Sequence, residues 1–140
     1  MCRIRVLLAC VVAGWVVPAA AFAQRPATSY ERAAIVAAAV HQGEISVSQG
    51  ACLNVTVSTV NPGYASLTWP ARLSRQCAAV AANGTIIEVR KGSSWVVAVA
   101  GSSFACPLKM VPAAVARDLG VCTGTVAQPQ SSRPGSGSRH

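Results

Sequence analysis

The chain has 140 residues, 52% of them hydrophobic, 11% charged and 5% aromatic, with 12 Lys and Arg against 4 Asp and Glu. That length holds one domain of ordinary size, and a charged fraction far below the roughly 25% usual in globular proteins excludes a polyelectrolyte that stays unfolded. Two histidines and a single aspartate, Asp118, exclude most catalytic constellations, which need several such groups together.

The N-terminus reads Met1-Cys2-Arg3-Ile4-Arg5, then an apolar run from Val6 to Val17, then Pro18 and a small-residue stretch ending Ala21-Phe22-Ala23. A basic start, an apolar core and an Ala-x-Ala site are the three regions of a secretory signal peptide, with cleavage expected after Ala23. The alternative is an anchor that is kept, since Val6 to Ala23 is 18 residues, at the edge of spanning length. Pro18 and the Ala21-x-Ala23 site favour cleavage. Leu7-Leu8-Ala9-Cys10 looks like a lipidation site, but the apolar core runs on past Cys10 instead of ending there. Removing 1–23 leaves 117 residues with ten basic and four acidic side chains, a net +6.

Thr28-Ser29-Tyr30-Glu31 has the spacing of a capping box, in which a threonine oxygen and a glutamate carboxylate satisfy each other's free backbone donors. The alanine-rich run from Arg32 to Gln42 follows and Gly43 offers a left-handed stop, so one helix of about 13 residues is expected. Beyond Gly43 the period changes to two. Ile45 and Val47 alternate with Glu44, Ser46 and Ser48; past a turn at Gly50, Leu53, Val55 and Val57 alternate with Asn54, Thr56 and Ser58, which predicts strands. Asn61-Pro62-Gly63 marks a turn, and Tyr64 to Trp69 reads as a strand with Ala65, Leu67 and Trp69 on one face, ended or placed at an edge by Pro70.

Ala71 to Ala82 reads either as a helix with Leu73, Cys77 and Val80 on one face or as a loop pinned by Cys77. Thr85 to Arg90 and Trp95 to Ala100 flank Lys91-Gly92-Ser93-Ser94 as a hairpin. In its first strand Ile87 and Val89 alternate with Glu88 and Arg90; the second is apolar on both sides and therefore central or covered. After a loop over Gly101 to Pro107, Pro112 opens a short helix from Ala113 to Leu119 with Gly120 beyond it. Gln128 to His140 has no apolar residue and is expected to be a flexible tail.

These elements predict a single α+β domain over 24–127: an N-terminal helix packed on one face of an antiparallel sheet of about four strands, with a short C-terminal helix. Cys52, Cys77, Cys106 and Cys122 remain after signal removal, an even count that reads as two disulfides with three connectivities open. Pairing Cys106 with Cys122 would clip the last helix to the end of the final strand, leaving Cys52 for Cys77. Cysteine intervals of 25, 29 and 16 residues lack the close pairs of a metal site.

Trp95-Val96-Val97, Gly101-Ser102-Ser103-Phe104-x-Cys106, Pro112-x-x-Val115-x-x-Asp118-Leu119 and Cys122 together resemble a pattern in small secreted proteins of unknown function from high-GC, actinobacterial-type bacteria. The likeness covers the last third of the chain, and the rest matches in its order of elements. A helix followed by antiparallel strands is also similar to cystatin-like and nuclear-transport-factor-2-like sheets in architecture. The resemblance implies an exported α+β protein and no defined activity.

A hydrolase reading would join His41 to Asp118 and to Ser102 or Ser103, yet no Gly-x-Ser-x-Gly elbow surrounds those serines, and a histidine in the last turn of a helix suits the helix dipole. Asp118 is expected to accept hydrogen bonds near Cys122 or to pair with Arg117 or Lys109. The carboxylates Glu31, Glu44, Glu88 and Asp118 fall on separate elements, a poor set for glycoside chemistry. No catalytic residue, metal or cofactor is expected. Trp69, Trp95, Tyr64 and Phe104 read either as an aromatic binding patch or as core, and the inward strand phase of Trp69 and Trp95 favours core.

The basic balance provides a candidate binding surface: Arg72 and Arg75 beside Trp69-Pro70, and Arg90 with Lys91 at the hairpin tip, joined by Arg133 and Arg139 of the tail. Its expected partner is an anionic envelope polymer or another secreted protein; export and scarce aromatics count against nucleic acid, and no membrane span is expected in the mature form. The composite expectation is a secreted, disulfide-stabilised, non-enzymatic binding or interaction domain, extracellular or at the cell envelope. A small secreted hydrolase, or a proteinase-inhibitor-like module presenting Gly101 to Pro107, is the alternative.

Overall fold

The computed structural model describes residues 24–123; the expected signal segment 1–23 and the expected tail 128–140 lie outside the described residues. Thr28 opens α1 (Ser29–His41): its Oγ1 accepts from the Glu31 N–H at 3.2 Å, and the Glu31 carboxylate accepts from the Thr28 N–H at 2.9 Å. Arg25, in the two-residue strand β1 (Arg25–Pro26), donates to the same carboxylate at 2.6 and 2.8 Å. The guanidinium, and after it the Thr28 N–H, pull the Glu31 pKa down to about 2.

After Gly43 the chain departs from the expected strand. Val47–Cys52 forms a helix, α2, because Ser46 and Gln49 make a second capping box, with the Gln49 N–H donating to Ser46 Oγ at 3.3 Å and the Ser46 N–H to Gln49 Oε1 at 2.8 Å. Reciprocal satisfaction of two backbone donors outweighs a period-two alternation only a few residues long. Gly50, expected in a turn, lies inside α2 where α1 crosses closest, and a Cβ there would stand 2.5 Å from Val36 Cγ1. Arg32 of α1 donates to the carbonyls of Gly50, Ala51 and Leu53 at 3.0, 3.3 and 2.6 Å. Those are carbonyls that the end of α2 leaves without helical partners, and a cation suits that end of the dipole.

The sheet follows chain order, β1-β2-β3-β4-β5, with every neighbour antiparallel; the longer strands are β2 (Asn54–Val57), β3 (Tyr64–Thr68), β4 (Thr85–Lys91) and β5 (Ser94–Gly101). The fifth strand relative to expectation is β1, whose Pro26 is tolerated on an edge because no ladder bond is asked of its missing N–H. β5 is the other edge, so its apolar sequence reflects cover on both faces and not a central place. A register irregularity at Ile87/Glu88 opposes Ile87 to Val99 and Glu88 to Val97, and the Val97 N–H donates to Gln42 Oε1 at 3.0 Å.

Both faces of the sheet are covered, one more than expected. On the first, Ile35 and Ala39 of α1 pack on Val55, Val57, Ala65, Leu67, Ile86 and Trp95, with Trp69 and Val97 at the margin. On the second, Ile87 packs with Val111, Val115, Ala116 and Leu119 around α4 (Ala113–Asp118), with Tyr64 and Val99 beside them. The apolar residues of β4 and β5 at both strand phases require this second layer.

Cys52, the last residue of α2, is bonded to Cys77 in the short helix α3 (Arg75–Ala78), and Cys106 to Cys122 across the segment that carries α4. The stretch left open between helix and loop is thus mostly loop, with one turn of helix held by its bridge and by Gln49 Nε2 donating to the Val80 carbonyl at 3.1 Å. No helix among the described residues is long and apolar enough to cross a membrane.

Candidate functional site: an apolar groove between two helices

Away from the sheet, α1 presents Ala33, Val36, Ala37 and Val40, and α2 lies beside them with Val47, Gly50 and Ala51. Together they form an open, largely apolar groove of about 640 Å³. Val47 is 76% exposed, a large aliphatic side chain left in water at the groove's edge. Its contiguous apolar lining makes the groove the candidate site. Among the described residues two ionisable side chains line it, Arg32 and His41, and no carboxylate does. Among the described residues Arg32 meets only neutral carbonyl oxygens and no carboxylate. The groove depends on Gly50 admitting α1, and the signal for it in the sequence was Ser46-x-x-Gln49.

The four basic residues singled out from sequence fall into two separated pairs. Thr68 pairs with Thr85 at one end of the β3–β4 ladder and Tyr64 with Val89 at the other. Arg72 and Arg75 follow β3 beyond the first end, whereas Arg90 and Lys91 close β4 beyond the second. The length of β3, about 13 Å at 3.3 Å per residue, lies between the pairs. All four are exposed, and Arg90 Nε donates to the Gly92 carbonyl within the hairpin tip at 3.2 Å.

The residues of the hydrolase reading fall on separate elements. His41 is exposed at the end of α1, and Ser102 and Ser103 are exposed on the loop after β5. Asp118 is buried on α4 and accepts from Ser58 Oγ at 2.7 Å, the Thr59 N–H at 2.8 Å and Thr59 Oγ1 at 3.1 Å. Its role as a local acceptor stands, but its partners belong to the turn after β2 and not to Cys122, Arg117 or Lys109. Burial works to raise its pKa; the hydrogen bonds from Ser58, Thr59 and Val60 together outweigh burial and lower it. Among the described residues no group of three or more His, Cys, Asp and Glu could hold a metal ion. In the loop from Gly101 to Pro107, Phe104 is half-buried and its neighbours Ser103 and Ala105 are exposed.

Glu88 is the unexpected carboxyl. It alternates with Ile87 as the sequence implies, but its face is the one α1 covers, in register with Ala65 and Val97. It is fully buried, and neither carboxyl oxygen has a hydrogen-bond partner among the described residues. Burial pushes its pKa up to about 8, so it is held protonated at neutral pH. A displaced carboxyl pKa points to chemistry when the group opens into a cleft. Glu88 lines neither the groove nor the smaller cavity at the sheet's end.

No protein-family model, curated protein or solved structure matches the chain.

Proposed function

We propose that the protein is a secreted, disulfide-stapled binding domain, extracellular or at the cell envelope, whose partner is another secreted protein held in the groove between α1 and α2. The observation that carries this reading is the groove itself: an apolar trough flanked by exposed Val47, with Arg32 and His41 as its ionisable lining residues among those described. Its complement is a segment presenting apolar side chains with acidic residues beside them. The N-terminal pattern of Arg3, Arg5, Val6 to Val17 and Ala21-x-Ala23, together with two disulfides, supports export, since such bridges persist in oxidising compartments. A helix laid across an antiparallel sheet supports the cystatin-like comparison in architecture alone.

Between the two partner classes, the placement of charge favours protein. An anionic polymer is best held by clustered cations, and Arg72 and Arg75 stand at the opposite end of the sheet from Arg90 and Lys91. Tagged protein recovered from its own secreting cells tests the reading. Val47→Asp and Ala37→Glu, both at exposed positions, should each reduce partner retention about ten-fold, as loss of a central contact does. Arg72→Ala with Arg75→Ala should leave retention unchanged. The reverse pattern, with retention that collapses as salt screens exposed charge, would assign an anionic envelope polymer instead.

A further inference from the structure

The geometry points to a second site: a compact organic cation, an alkylammonium or quaternary ammonium group, bound in the cavity at the end of the sheet with Glu44 as counter-ion and Trp69 as an aromatic wall. This site is independent of the groove. The cavity, about 230 Å³, lies between the turn that follows α1 and the end of the sheet where β3 leaves and β4 begins. Leu67 and Ile86 form its apolar floor, and Asn83 and Thr85 add polar groups at its side.

Accounting for the carboxyls singles out Glu44. Glu31 is held by Arg25 and Thr28, Asp118 by Ser58 and Thr59, and Glu88 is buried away from both concavities. Glu44 is exposed, makes no side-chain hydrogen bond or ion pair among the described residues, and is the single ionisable side chain lining the cavity. A carboxylate and an indole lining one cavity form a pairing that selects a cation with an apolar body, because an aromatic ring attracts positive charge while its carbon surface takes the alkyl groups. At the ~30 Å³ that a water-sized group occupies in a liquid, the volume admits about seven heavy atoms. The domain's overall positive charge opposes such a ligand, and Arg72 and Arg75, which follow Trp69 in the chain, do not line the cavity.

Choline and its uncharged isostere 3,3-dimethylbutan-1-ol are the probes, followed by amide and indole resonances of the full mature domain. Choline should shift the Trp69 indole N–H and the Gly84 and Thr85 amides in a saturable way, and the alcohol should bind about ten-fold more weakly, the loss of one charged contact. Glu44→Gln, at an exposed position, should reduce choline affinity to that of the alcohol while leaving the rest of the spectrum intact. Arg72→Ala with Arg75→Ala should strengthen choline binding. Absence of shifts at tens of millimolar, equal binding of the two probes, or indifference to Glu44→Gln would each overturn the assignment. Shifts confined to Ala37 and Val47 would do so as well, placing the probe in the groove.

Discussion

Glu88 and Asp118 are buried carboxyls with opposite surroundings, and they make stability depend on pH in two separate windows. Glu88 has no partner among the described residues, and its pKa rises from 4.5 to about 8 through burial. Between those values the folded state keeps a proton that the unfolded chain gives up, so stability is fully present at acidic pH and falls as pH climbs toward 8. At pH 7 the loss is on the order of 3 kcal/mol. Glu88→Leu should therefore raise the melting temperature at neutral pH and flatten its slope between mildly acidic and mildly alkaline pH. Glu88→Gln should flatten the slope equally but gain less, because an unpaired amide stays buried. An unchanged slope in both variants would contradict the burial argument. Asp118, whose pKa is lowered from 3.8, contributes stability above that value that is lost as pH falls through its folded pKa. Asp118→Ala strands the buried Ser58 hydroxyl and should cost about 2–3 kcal/mol in denaturant melts. Strand phase placed Glu88 correctly relative to Ile87, but it carries no information on which faces of the sheet are covered.

Among the elements, the α1–α2 crossing is the most sensitive contact. Ala in place of Gly50 would gain helix propensity of about 1 kcal/mol, but its Cβ would meet Val36 Cγ1 at 2.5 Å. Val36 is β-branched and stiff at χ1 in a helix, so it cannot turn aside cheaply, and the overlap should win by about 1–3 kcal/mol. A lower melting temperature for Gly50→Ala is the expected result; a higher one would mean that the helices separate at little cost. α1 and the β4–β5 hairpin were legible in the sequence because their caps and turns lie within a few residues of what they organise. The same kind of cap at Ser46 and Gln49 was present, but Ile45 and Val47 offered a competing alternation. The groove was not legible because that alternation hid α2, and the separation of Arg72 and Arg75 from Arg90 and Lys91 was not because it follows from strand pairing between distant segments.

For the whole molecule, two bridges close separations of 25 and 16 residues, one joining the end of α2 to α3 and the other spanning the segment that carries α4. Each constrains the unfolded chain by about 3 kcal/mol on the chain-entropy account, a large share of the 5–15 kcal/mol that stabilises an ordinary domain. Reductant should lower the melting temperature by well over 10 °C, roughly the effect of losing several kcal/mol in a domain of this size. A melting curve unmoved by reductant would place the stability in the core alone. The binding reading makes the most direct demand on the groove. A photoreactive side chain introduced at position 37, in protein made by its own secreting cells, should form an adduct with one secreted protein, and Val47→Asp should abolish that adduct. No adduct from position 37, alongside salt-sensitive adducts to an anionic polymer from the same group at positions 72 and 91, would contradict it.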